Sequence, residues 1–339
     1  MKQVYLERYD EGEYKIYRIP CIAVTAKGTV LTAYECRHST NDWAAIDIGL
    51  RRSTDGGQTW SERTIVADGH ECSCLHNPVL FIDGDTVHLL YNMNYHEAYY
   101  TRSTDDGLTW AEPRCITSAY ETMRPALRYT VIANGPCHGL VTSKGRLIVP
   151  VWVVANKYDI KAHGPSVVTT LYSDDHGDTW QCGEIVTDDP GYRSPSESVL
   201  AELKDGSILI NCRHTTDNGM RLLATSPDGI SGWHDLHFAK DLTEPICAAG
   251  MTSDGRRLWF THCDNGQNYR RIDLSLHRSD DQGQTWRKLY TLDPFGGYSD
   301  TFYDATSDKL YVFAETDRAI PGDDFSFGLS AFILDGNEI

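Results

Sequence analysis

Short apolar runs broken by compact polar punctuation fill this chain, and no stretch keeps a convincing helical period. Residues 29–34, 87–91, 147–153, 207–211, 258–261 and 310–313 are short runs of alternating or continuous apolar character. Runs of that length between turn signals read as strands. Many follow a two-residue turn: Lys27-Gly28, Asp83-Gly84, Lys144-Gly145, Asp205-Gly206 and Asp254-Gly255. Glycine is the residue that takes positive φ without strain, so these pairs mark hairpins. The pattern predicts an all-β chain of many hairpin-linked strands.

A repeat organises those strands. Ser53-Thr54-Asp55-Gly56-Gly57-Gln58-Thr59-Trp60 returns as Ser103-Thr104-Asp105-Asp106-Gly107-Leu108-Thr109-Trp110. It returns again as Ser173-Asp174-Asp175-His176-Gly177-Asp178-Thr179-Trp180 and as Ser279-Asp280-Asp281-Gln282-Gly283-Gln284-Thr285-Trp286. A worn copy is Ser226-Pro227-Asp228-Gly229 with Trp233. The shared form S-x-D-x-G-x-T-W is turn chemistry: Asp and Ser bond the local backbone, Gly accepts positive φ, and Trp anchors the turn in apolar surroundings. Each copy follows a strand-like run, as at 46–52 and 274–278. Many short strands in units of about 50 residues describe a propeller of four-stranded blades. The expected fold is a six-bladed β-propeller with one domain spanning 1–339. An open β-sandwich is the rival, and it leaves the repeat unexplained. The repeat itself does no chemistry, and propellers also serve as scaffolds and binding modules.

Composition narrows the partners. With 31 Lys+Arg against 48 Asp+Glu the formal net charge is −17, which disfavours phosphate backbones and anionic lipid surfaces. No nucleic-acid or membrane partner is expected, and no run approaches the ~18 apolar residues of a membrane span. The residues from Met1 to Asp10 lack the apolar core of a signal peptide. The ten cysteines show no disulfide-framework spacing and read as mostly buried thiols. Cytoplasmic residence is the expectation, or secretion if a leader has been removed. His70, Cys72, Cys74 and His76 alternate, which on one strand would align four metal-ligating groups. Such a row seldom wraps an ion tetrahedrally, so buried strand positions are expected there rather than zinc.

The four turns are Asp boxes, and with Tyr17-Arg18-Ile19-Pro20 the chain resembles the sialidases. Asn134-Gly135-Pro136-Cys137-His138-Gly139-Leu140 followed by Gly145-Arg146-Leu147-Ile148-Val149-Pro150 also resembles a mid-chain segment of that family. The likeness extends to about Glu315. Sialic acid carries a carboxylate on its anomeric carbon, and guanidinium forks suit a planar carboxylate. The resemblance implies three such arginines. Arg18 matches the first by its Arg-Ile-Pro context, Arg213 the second by its Asn-x-Arg strand end, and Arg271 the third, with Arg270 as a competing position.

A nucleophile beside that carboxylate is better neutral than anionic, and sialidases are the tyrosine exception among glycosidases. Tyr298, in Gly296-Gly297-Tyr298-Ser299-Asp300, resembles the family nucleophile. Glu197, 16 residues before Arg213, resembles its base, although Ser196-Glu197-Ser198 replaces the usual Asn-Glu context. Asp42, 24 residues after Arg18 and expected in a loop, resembles the acid/base; Asp47 competes from the following strand. By the same resemblance Glu315 orients the first arginine and Arg37 shapes the pocket. Asn77 and Trp43 are expected on its N-acyl or glycerol side.

Together these residues imply a retaining exo-sialidase acting on sialylated glycans, with no metal and no organic cofactor. A trans-sialidase, an intramolecular transferase or a hydrolase of another nonulosonic acid would share the same residues. A silent glycan-binding propeller would be expected to have lost Tyr298, Glu197 or Asp42.

Overall fold

The computed structural model describes every residue except 71–72, 124–127 and 324. Six antiparallel sheets follow one another along the chain. In blade 1 the strands run outward from the axis as Ile16–Val24, Val30–Arg37, Ile46–Ser53 and Thr64–Ala67. Blade 2 is Leu75–Asp83, Thr86–Met93, Glu97–Ser103 and Arg114–Cys115. Blade 3 has a divided inner strand, Val131–Asn134 and Leu140–Val141, then Leu147–Val154, Ser166–Ser173 and Gln181–Cys182. Blade 4 is Ser198–Glu202, Ile208–Cys212, Met220–Ser226 and His234–Thr243, and blade 5 is Gly250–Ser253, Leu258–Cys263, Ile272–Ser279 and Arg287–Phe295.

Blade 6 takes Ser299–Asp304, Lys309–Thr316 and Gly328–Asp335 from the end of the chain and its outer strand, Lys2–Glu7, from the beginning. That pairing closes the ring (Val4 opposite Ala331), and the sequence pattern had not marked the first residues as a strand.

The predicted six-bladed propeller is therefore the observed architecture. The inner strand of blade 1 and the second strand of blade 3 are buried along their whole length, because neighbouring blades cover their faces. The core is accordingly split into six apolar layers, one at each interface between blades. All five turn glycines, 28, 84, 145, 206 and 255, sit at φ between +58° and +85°.

The Asp boxes join the third strand of a blade to its fourth. In each full copy the Ser hydroxyl accepts the Gly amide at 2.9 Å, and the Asp carboxylate accepts the Thr amide and hydroxyl (Asp281 to Thr285 at 2.9 and 2.6 Å). The box also reaches sideways. A Cβ on Gly57, Gly107, Gly177 or Gly283 would press against Ile333, Leu31, Tyr100 or Leu209, all on the preceding blade. The residue before that glycine adds polar links. Asp106 accepts from Thr29 and Arg52, His176 meets Asp83, and Gln282 accepts the Lys204 amide at 2.6 Å. The boxes are staples between blades as well as turns within them.

The zinc-like row does not form one strand face. His70 precedes the inner strand of blade 2, has φ +50° and is exposed, while Cys74 and His76 are buried. Cys72 lies outside the described residues. Seven of the nine described cysteines are buried, and all nine are unpaired.

Candidate active site

Third strands run toward the Asp boxes, so the opposite face collects the connections between second and third strands and those that enter each inner strand. A pocket of about 430 Å³ opens there. Its lining includes Arg18, Arg37, Asp42, Asn77, Glu197, Arg213, Arg271 and Tyr298, gathered from blades 1, 2, 4, 5 and 6.

Arg18 lies inside the first inner strand rather than before it, and a bulge between Arg18 and Cys21 breaks the ladder. Pro20 has no amide to give the ladder, and Ile19 stands at φ +58°, a costly conformation for a β-branched residue. The bulge turns Arg18 toward the axis. Blade 2 repeats the device at Asn77-Pro78, where Asn77 has φ +53° between His76 and Val79. Strained backbone of this kind concentrates at functional sites.

Glu315 sits at the end of its strand, fully buried, just outside the pocket lining. It accepts Arg18 Nε at 2.9 Å and Nη2 at 3.2 Å, and also the amides of Ile19 and Tyr298 at 3.3 and 3.0 Å. One carboxylate thus fixes both an arginine fork and the backbone that carries the tyrosine.

Glu197 precedes the inner strand of blade 4 and Arg213 follows its second strand; the two form an ion pair. Tyr298 enters the same cluster from blade 6. Its hydroxyl is 2.7 Å from both Glu197 carboxylate oxygens and accepts Arg213 Nη1 at 2.6 Å. The guanidinium carbons of Arg18 and Arg271 each stand 4.9 Å from the Tyr298 ring centroid. Burial pushes the phenol above its ordinary value and Glu197 pushes the same way, while Arg213, Arg271 and Arg18 pull it down. The resting phenol is therefore neutral, with a base in contact and three cations placed to stabilise a phenolate.

Arg271 immediately precedes the third strand of blade 5, and its buried Nη1 has no partner among the described residues. A buried donor without a partner is costly, and an incoming anion satisfies it. Neighbouring Arg270 is exposed and does not line the pocket.

Asp42 lies in the loop between the second and third strands of blade 1, and its side chain is 39% exposed. Asp47, by contrast, is in the third strand and is occupied by the Tyr14 hydroxyl and the Gly69 amide. Asp42 pairs with Arg37, whose other side is held by Glu35. Burial alone would raise the Asp42 carboxyl, but Arg37, Arg18 and His163 hold it below the usual carboxylate range.

Trp43 does not reach the pocket. Its ring packs on Tyr95 at 5.0 Å, and Tyr95 is the residue that faces the cavity. Partly buried, Trp43 packs against the apolar layer between blades 3 and 4 instead, so the expectation for it is corrected. Sequence reasoning also missed Tyr95, Trp152, His163 and Phe325 in the lining. Phe325 lies over Arg18 at 5.4 Å. Aromatics are frequent in this chain, and nothing local distinguishes these four. Glu35 did carry a signal, since it stands two residues before Arg37 on one strand and so shares its face.

The site is thus a cationic pocket on one face of an all-β ring, with a tyrosine–glutamate pair in its lining. Comparison with known proteins assigns the lineage. The BNR repeat-like domain family matches residues 28–312, and the chain belongs to the sialidase family of such BNR-repeat proteins. A sialidase of Micromonospora viridifaciens is 29% identical over 333 residues, covering 87% of this chain and 49% of that protein. The chain thus spans about half the length of that relative. Among solved structures, Hadza microbial sialidase Hz136 superposes with a TM-score of 0.82 at 22% identity, over 99% of this chain and 69% of that one. The intramolecular trans-sialidase of Ruminococcus gnavus gives 0.79 at 16% identity over 98% of both.

Proposed function

We propose that this chain is a retaining exo-sialidase that hydrolyses terminal sialic acid from glycans. The contact between the Tyr298 hydroxyl and Glu197, set among three arginines, is the observation that carries the reading. Arg18, Arg213 and Arg271 bind the sugar carboxylate, each charged hydrogen bond contributing about 1.5–3 kcal/mol. The Tyr298 oxygen bonds to the anomeric carbon as its proton passes to Glu197. The glycosidic C–O bond breaks, and the protonated Asp42 carboxyl gives its proton to the departing oxygen. Water then loses a proton to Asp42 and attacks the same carbon, while the released tyrosyl oxygen recovers its proton from Glu197. Two inversions give net retention.

The anionic sugar also offsets the arginine field that keeps Asp42 ionised in the empty pocket, raising it toward the acid form the first step needs. Outside the pocket, an acidic surface around a basic well focuses attraction where the anion must bind.

The test is turnover of a fluorogenic aryl α-sialoside and a natural sialoside by wild type, Tyr298→Phe and Asp42→Ala. Tyr298→Phe should lose at least about a thousandfold on both, the scale of a deleted catalytic group. Asp42→Ala should spare the aryl substrate, whose leaving group needs little protonation. Wild type that binds free sialic acid without turning over either substrate would instead identify a glycan-binding propeller. Product carrying the sugar on an acceptor or as an anhydro-sugar would identify a transferase.

A further inference from the structure

Behind Asp42 lies a buried ionic relay that the proposed cycle does not use directly. Arg37 is 2% exposed and Glu35 is fully buried, on the same face of the second strand of blade 1. Glu35 Oε2 accepts Arg37 Nε at 2.6 Å and also contacts Nη2, which commits two of the three guanidinium nitrogens to one carboxylate oxygen. Its other oxygen accepts the amide of Asn77 at 2.8 Å and lies 3.7 Å from His76 Nδ1, so blade 2 anchors it. Only Nη1 of Arg37 is left for the pocket, and it meets Asp42. His76 in turn stacks on Tyr95 at 3.8 Å between centroids, with neither ring nitrogen hydrogen-bonded among the described residues.

A carboxylate this deeply buried is expensive, and replacing such pairs by apolar residues is often neutral or stabilising. Fold alone does not require it. What Glu35 does here is neutralise Arg37 from behind. Without it, an uncompensated buried guanidinium would face Asp42 and hold it ionised more strongly.

We propose that Glu35 is a positioning residue that, through Arg37, sets the protonation of Asp42 and so the pH range over which the acid step works. This rests on the sialidase reading for its kinetic consequence, though the coupling itself does not. The groups facing Asp42 are Arg37 on the adjoining strand, Arg18 from the inner strand, His163 from the blade 3 loop, and His76 and Tyr95 from blade 2. Those facing Glu35 are Arg37, His76, Tyr95 and the Cys74 thiol. Of these, only Arg37 touches both carboxylates.

The experiment compares wild type, Glu35→Gln and Glu35→Asp. First, the Asp42 side-chain carboxyl is titrated by ¹³C NMR in all three, with Asp42→Asn assigning the signal. Second, kcat and KM are followed against pH on the natural and the aryl sialoside. Glu35→Gln should lower the Asp42 titration by about one pH unit or more, the usual effect of a charge at this range. The alkaline limb of kcat on the natural substrate should move down by the same amount, because that limb reports loss of the Asp42 proton. The aryl substrate should barely respond, and Glu35→Asp, which keeps the charge, should restore much of the wild-type limb.

Unchanged Asp42 titration in Glu35→Gln overturns the proposal. So does a parallel fall of both substrates with no movement of the limb, which would mark Glu35 as merely structural. If Glu35→Gln does not fold, Glu35→Asp decides: its shorter side chain loosens the contact with Arg37 and should lower the Asp42 titration and the limb together part of the way, whereas an unchanged titration overturns the proposal. If wild type cleaves neither substrate, the sialidase reading fails, and the NMR titration still decides the coupling.

Discussion

Replacing Glu315 should expose how much of the fold rests on one carboxylate of the site. The residue is fully buried and accepts four donors: two from Arg18 and the amides of Ile19 and Tyr298. Glu315→Ala leaves the Arg18 guanidinium buried without its partner, which costs about 3–5 kcal/mol. Two amides lose their acceptor as well, at about 1 kcal/mol each. Because all four contacts share one atom group they are not fully additive, and a total of about 4–6 kcal/mol is expected. That is a large part of the roughly 5–15 kcal/mol by which folded domains typically outlast their unfolded chains. Glu315→Gln keeps an acceptor but loses the charge and should cost about 2–4 kcal/mol. Urea unfolding at pH 7 measures both, and sialoside KM should rise in each as Arg18 loses its orientation. An independent perturbation is Gly297→Ala, whose added Cβ would stand 2.2 Å from Glu315 Oε2 and displace the carboxylate without removing its charge. It should raise KM in the same direction. A Glu315→Ala protein less than about 1 kcal/mol weaker than wild type, with unchanged KM, would show that Arg18 is held by something else and refute the reasoning.

Two further outcomes follow from the fold. Gly145→Ala and Gly177→Ala both place a side chain at positive φ, +84° and +85°, but only the second also strikes a neighbour, with Tyr100 Oη 2.5 Å away. Urea unfolding should show about 1 kcal/mol lost in the first and about 2–4 in the second, and equal losses would deny the box its role between blades. Burial pushes His88 down to about 4, despite Asp83 and with help from Arg102 and His176. The unfolded chain therefore takes the proton first. The stability that rests on His88 is full above pH 6.5 and falls by roughly 3 kcal/mol on the way to pH 4, beside the contributions of the other buried histidines. His88→Gln should flatten the stability–pH curve over that interval, and superimposable curves would rule the histidine out as its source.

Local chemistry is what the sequence makes readable in this protein. The Asp boxes and the five Gly turns are legible because their backbone bonds close within a few residues. Arg18 and Tyr298 are readable for a different reason, a distinctive neighbour pattern, and Glu197 by its spacing from Arg213. What escapes is everything decided by distant approach. Lys2–Glu7 becomes an outer strand only because residues 328–335 lie beside it. Tyr95, Trp152, His163 and Phe325 meet at one cavity from three blades, and no spacing announces it. The orientation of Trp43 depends on how one loop turns, which its neighbours in sequence do not dictate. Asp300, read as part of the tyrosine segment, proves to be an axial tie that accepts the amides of Ile22 and His138 at 2.9 and 2.8 Å.

The five blades that carry an Asp box or its worn form are blades 1 to 5; blade 6 has none, since its third and fourth strands are the two ends of the chain. Yet Tyr298 and Glu315 both come from blade 6. The one sector without a box thus supplies two residues of a site whose other members come from boxed blades. A partly assembled chain of five blades would own every box, but it would lack the Ile333 surface that the first box presses on, the tyrosine, and the carboxylate that aligns Arg18. The pocket is therefore complete only in an unbroken circle, whatever the amount of β-structure formed.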